Sequence, residues 1–402
     1  ITVLIFLQIF CPNINNYLFS DITKINTLML LRISFFYIFF NIFISLFTAV
    51  LNSNFKFIFP SMISSITNIF SILIIINYYN TNEYILYILC ISLVASSIFQ
   101  ILLYLIFFKE TRPKISKVDN NVKVKYNFNE LNRNFFNNLV SINLFNILIL
   151  SLYIFSIVIN INQSYLYFSL RIVFLPIFFI GITIFFITLP YLNELKIKNE
   201  FEKINDLINF SFQLILITSI PLIIFTFFFS TDIINFLLER GNFNNNDTII
   251  VSKYLKILIL AAPATILSKL LLNLIYLYNK NEVAMKLTLI IIFLFIIITS
   301  FFSNYINDIT LLVFLTISTW LQVVLLFLNI KKFININFNF FNYFLIILFS
   351  STLSILLIYI LKLYIVELNI IINSLFFLII YFILIMFNTY TKKLVKKFFF
   401  KN

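Results

Sequence analysis

Apolar residues in this chain do not alternate with polar ones; they come in runs of helix length separated by short polar turns. A helix needs roughly 20 apolar residues to cross the hydrocarbon core of a bilayer. The pattern predicts twelve such spans, over 1–19, 31–51, 60–79, 84–108, 137–159, 164–191, 207–229, 249–277, 287–303, 310–329, 340–361 and 370–388. A membrane β-barrel would show short alternating segments instead. The longest polar stretch, 109–136, separates four spans from eight. The expected organisation is an incomplete N-terminal lobe over 1–108 and a basic cytoplasmic linker over 109–136. A C-terminal lobe over 137–329 and two extra spans with a basic tail over 330–402 follow. The fold class is an all-α polytopic membrane protein with two pseudo-symmetric helical bundles.

Composition agrees: 62% of the 402 residues are hydrophobic and only 11% are charged, against about a quarter in soluble domains. The net charge of +13 could suggest nucleic acid, but most of the 28 Lys and Arg lie in short turns on alternate sides of the spans. That bias places those turns, the linker and the C-terminus in the cytoplasm, so no nucleic acid is expected. The linker is expected to be a solvated connector, with contact between its cations and anionic membrane lipids as the alternative. The chain holds no His and two distant Cys, Cys11 and Cys90, which excludes His-dependent hydrolase sites and argues against a zinc or haem centre. Neither a catalytic residue, a metal nor a cofactor is expected. The first residue is Ile1, already inside an apolar run, which reads as a chain truncated at its N-terminus.

A shift of 224 residues brings out a weak internal repeat. Leu31-Arg32-Ile33 then lies on Leu255-Lys256-Ile257, and Lys56 lies on Lys280. Both copies cross the membrane in the same sense, which implies lobes related by an axis along the membrane normal.

Cations inside spans stand out against this background. Inserting one costs about 2.5–3.5 kcal/mol, so such residues usually face a bundle interior or a wet cavity. Arg171 is the single formal charge between Asn134 and Asn193. It is either a cavity cation for an anionic substrate or an arginine that bonds backbone carbonyls or snorkels to an interface. Lys269 is mid-span with Asn273 one turn on, and is either a second cavity cation or a structural donor. Lys253 and Lys256, with Arg32 as the repeat counterpart of Lys256, either line an outer vestibule or snorkel to the interface. Glu239-Arg240-Gly241 reads as a local pair beside a turn needing positive φ, with a role either in shaping the loop or in gating, and Asp247-Thr248 as a helix N-cap. Pro176, Pro221 and Pro263 lie inside spans and should kink them.

The segment Leu237-Leu238-Glu239-Arg240-Gly241-Asn242-Phe243, followed by Asp247-Thr248, resembles the MurJ/MviN family of lipid II flippases. That family carries a Leu-Phe-Glu-Arg-Gly-x-Phe-x-x-x-Asp-Thr segment between two late spans. Tyr167–Pro190 resembles its Tyr-x-x-Asp-Arg-Leu-x-x-x-Pro segment, with Arg171 and Pro176 on the arginine and proline. Tyr276–Lys286 resembles a late turn, and Thr48 to Pro60 an early one. The family has fourteen spans, so these twelve would be its third to fourteenth. Leu170 replaces the acidic residue before the arginine, and Val283-Ala284 replaces a Thr-Pro.

The resemblance implies a MATE-like fold and alternating-access transport of an undecaprenyl-diphosphate-linked peptidoglycan precursor, lipid II, across the bacterial inner membrane. It also implies contact with cell-wall synthesis machinery. Arg171, Lys269, Asn273, Lys256, Lys253 and Arg32 are the substrate-binding candidates. Two other readings stay open at this point: a flippase or exporter for another substrate, and a non-transporting remnant or scaffold.

Overall fold

The computed structural model describes residues 24–78, 85–111, 128–159, 161–302, 305, 307–331, 341–364 and 370–387. Among these the regular elements are all helical. A backbone in hydrocarbon has no water to bond, so it satisfies its own N–H and C=O groups within each segment. Among the described residues nine helices are long and apolar enough to span a membrane, and a bent pair over 132–158 makes up to ten. The last expected span falls on the shorter apolar helix Ile370–Met386. The first, over 1–19, lies outside the described residues.

The chain divides into two units, Ile1–Val124 and Lys125–Asn402. The first contains α1 (Lys24–Ser53), α2 (Ile58–Ser64), α3 (Ile66–Tyr78) and α4 (Ile85–Thr111). Leu51, Ile63 and Tyr104 form its small core, and Thr48 hydrogen-bonds Tyr104 (2.8 Å) to tie α1 to α4.

The second unit begins with α5 (Phe128–Ile142), which starts inside the stretch expected to be linker. It then runs through α6 (Leu144–Val158), α7 (Gln163–Pro176), a π-turn (Ile177–Ile182) and α8 (Thr183–Ile197). After these come α9 (Phe201–Phe228), α10 (Ser230–Leu238), α11 (Asn245–Leu258), α12 (Ala261–Leu277), α13 (Asn281–Phe301), α14 (Asp308–Ile330), α15 (Phe341–Tyr364) and α16 (Ile370–Phe387). Its main core gathers residues such as Leu148, Leu166, Val173, Leu255, Ala262 and Leu315, all fully buried.

Several spans carry a proline or a break, and side chains occupy two of the backbone carbonyls left free. Pro221 has no N–H for the Ile217 carbonyl, and Tyr381 on α16 donates to that oxygen (2.7 Å). Pro263 sits in the first turn of α12 rather than mid-helix, where its missing N–H costs little. The break before it leaves the Leu260 carbonyl to Trp320 Nε1 (3.0 Å). Pro176 ends α7, and the wider π-turn follows it. There Gly181 approaches α12 so closely that a Cβ would lie 3.2 Å from Ile266 Cγ1.

The two lysines paired by the internal repeat, Lys56 and Lys280, close the same kind of turn, which the chain also makes at Asn199, where Glu200 N–H bonds the Leu195 carbonyl (3.0 Å). In the first unit Lys56 N–H bonds the Leu51 carbonyl (2.9 Å), with Phe55 at φ 59°. In the second, Lys280 N–H bonds the Ile275 carbonyl (3.1 Å), with Asn279 at φ 55°. Both are left-handed caps closing a helix C-terminus.

Candidate functional site

The candidate site is carried by two broken spans of the second unit, α7–π-turn–α8 and α11–α12. They lie side by side and run in the same direction. At the top, Tyr165 OH donates to Asp247 Oδ1 (2.7 Å). Further along, Gly181 packs on Ile266. Asn273 Nδ2 then donates to the Phe185 carbonyl (2.9 Å) and Thr188 Oγ1 (2.7 Å). Near the other end Lys196 Nζ donates to the Leu277 carbonyl, and its ammonium lies 5.5 Å from the Tyr278 ring centroid. The hydrogen-bonded pairs are 82, 88, 85 and 81 residues apart in sequence, so the register is nearly constant along both spans.

That register levels Arg171 with Lys253. Each lies six residues, about 9 Å, below its partner in the Tyr165–Asp247 bond. Lys256 is one turn deeper. Arg171 and Lys253 are exposed and Lys256 half-buried, and among the described residues none has a hydrogen-bond or ion-pair partner. Exposed Tyr167 and Leu175 flank Arg171 one turn to either side. The backbone-carbonyl alternative for Arg171 is therefore not realised.

Lys269 and Asn273 do not join this group. Lys269 Nζ donates to the Ile142 carbonyl, at the 60° bend between α5 and α6. This is the structural alternative, and the neighbouring Ser268 turns instead to the Thr265 carbonyl (2.8 Å). Asn273 is fully buried, with both amide protons engaged between α12 and α8. Arg32 belongs to the first unit, where it is exposed and has a partner of its own.

The Glu-Arg-Gly and Asp-Thr residues are corrected by the geometry. Glu239 does not pair with Arg240. Its carboxylate accepts from Thr248 Oγ1 (2.7 Å) and Asn235 Nδ2 (2.9 Å), while Arg240 donates to the Leu237 carbonyl (2.6 Å). The N-cap of α11 is Asn244, not Asp247. Asp247 is in the first turn, where its Oδ2 accepts from the Asn244 N–H (2.9 Å). Gly241 does take the expected positive φ, 62°. Tyr254 OH donates to Asp308 Oδ2 (2.6 Å), joining α11 to α14. Tyr165, Tyr254 and Asp308 escaped the sequence reading because their partners are 54–82 residues away. The only sequence signal was a tyrosine near the outer end of a span.

The model of the family described as "Lipid II flippase MurJ" matches residues 1–387. A probable lipid II flippase MurJ of Buchnera aphidicola subsp. Baizongia pistaciae is 26% identical over 172 residues, covering 43% of this chain and 34% of that one. One from Rhizobium tropici is 31% identical over 120 residues, covering 30% and 22%. The chain thus spans about a third of the first relative's length. A solved lipid II flippase MurJ in an inward closed conformation superposes with a TM-score of 0.70 at 22% identity. That match covers 98% of this chain and 81% of that one. A MATE transporter of Vibrio cholerae superposes at 0.63 with 12% identity, over 82% and 75%. These two show a shared fold. The family match extends through the spans that carry Arg171 and Lys253, and the chain belongs to the MurJ family.

Proposed function

We propose that the chain acts as a lipid II flippase, moving an undecaprenyl-diphosphate-linked peptidoglycan precursor across the inner membrane by alternating access. The observation that carries this is Arg171, an exposed cation inside a span with no partner among the described residues, level with a second cation on the adjacent span. Two such charges facing lipid would be costly, whereas facing a wet cavity they attract an anion. A diphosphate suits them: guanidinium offers a planar fork of donors and ammonium a point charge. Arg171, Lys253 and Lys256 hold the diphosphate while the lipid tail remains in the bilayer. The lobes on either side of the basic linker then rock to expose the headgroup outside. The Lys- and Arg-rich turns and the C-terminus are cytoplasmic.

The test is complementation in cells depleted of their own lipid II flippase. Arg171→Ala should lose growth and lipid II export, and Arg171→Lys should retain part of both. Full export by Arg171→Ala would refute the assignment of this residue to the substrate.

A further inference from the structure

We propose that Tyr165 and Asp247 are a register pin, positioning residues that hold Arg171 and Lys253 at one depth so that both can reach a single diphosphate. This rests on the reading of that pair as the anion site.

Two parallel helices of 14 residues carry the cations, α7 with Arg171 and α11 with Lys253 and, one turn deeper, Lys256. Apolar contacts alone let such helices slide, because apolar packing is non-directional and one leucine replaces another at modest cost. A slide of one turn would separate the charges by about 5 Å along the membrane normal. The Tyr165–Asp247 bond opposes that slide at the outer end. Asp247 is itself fixed, since its other oxygen accepts from the Asn244 N–H. The loop leading into α11 is closed by the Thr248–Glu239 bond, and Phe243 in that loop packs edge-on against Phe168 of α7 (centroids 5.7 Å). At the lower end Gly181 and Ile266 interlock. The cations sit between two fixed points. The Glu…Asp-Thr signature gains a role here: it builds the outer fixed point.

The experiment uses the full chain in nanodiscs with inorganic pyrophosphate as the probe. Spin labels at Tyr167→Cys and Ile249→Cys, both exposed positions, report the register. Tyr165→Phe and Asp247→Ala should weaken pyrophosphate binding about ten-fold, the loss of one charge-assisted contact. They should also broaden the label–label distance. Asp247→Asn, which keeps an acceptor for Tyr165 but sets an amide donor against the Asn244 N–H, should retain part of both. The pin is overturned if Tyr165→Phe lowers only the melting temperature and leaves affinity and distance as in the wild type. It is equally overturned if Asp247→Asn behaves as Asp247→Ala. If Arg171→Ala binds pyrophosphate as well as wild type, the anion site itself has failed, and the pin with it.

Discussion

Replacing Lys269 by Met separates a structural cation from a substrate cation. Methionine keeps the apolar stem and removes the ammonium. In the wild type that ammonium occupies the Ile142 carbonyl, one of those freed where α5 bends 60° into α6. The Leu139 carbonyl beside it is taken by Asn143 Nδ2 (2.8 Å), and Ser141 hydrogen-bonds Tyr276 of α12 (2.6 Å). No water is at hand in hydrocarbon, so the Ile142 oxygen loses its partner outright. A hydrogen bond to a charged group contributes about 1.5–3 kcal/mol. The substitution also removes a buried cation, and that relief offsets part of the loss. The net expectation is a destabilisation of about 1–2 kcal/mol, a few degrees in melting temperature for a unit of this size. Thermal unfolding of the full chain in detergent measures it, and amide exchange over 139–147 should rise locally. Pyrophosphate affinity should not change. A Lys269→Met chain that melts with wild-type stability but binds pyrophosphate more weakly would refute the reasoning and return Lys269 to the substrate site.

Three further outcomes follow from the same geometry. Tyr381→Phe strips the donor from the Ile217 carbonyl that Pro221 leaves free, and should cost about 1–2 kcal/mol in thermal unfolding; no change would mean that oxygen finds another partner. Gly181→Ala sets a methyl 3.2 Å from Ile266 Cγ1 and 3.3 Å from its Cα, and should destabilise by about 1–3 kcal/mol; an unchanged melting temperature would show that the π-turn yields freely. Phe55→Asn places at φ 59° the residue that the equivalent turn uses at Asn279, and should stabilise by about 0.5–1 kcal/mol; a loss of stability would show that the exposed Phe55 ring outweighs its backbone strain.

The spans were legible because a bilayer demands long apolar helices, and that demand is written in composition alone. The repeat relating Lys56 to Lys280 was faint in residue identities, and the turn those two residues close is made at Asn199 as well, so backbone geometry does not single the repeat out. Arg171 was legible as a cation out of place. What escaped were the partners of polar side chains. Nothing near Lys269 in sequence points to Ile142, 127 residues earlier, because the recipient is a backbone carbonyl freed by a bend. Glu239 looked like the mate of its neighbour Arg240, yet the loop turns its carboxylate to Thr248. Gly181 lay in an apolar run with no turn signal. Its purpose, close approach to α12, exists only once the two spans are packed.

The central claim is most directly tested by lipid II translocation in proteoliposomes reconstituted with the full chain, comparing wild type with Arg171→Ala at matched incorporation. The account predicts transbilayer movement of labelled lipid II with the wild type and a rate near the protein-free background with Arg171→Ala. Equal rates for the two chains, both above background, would contradict it.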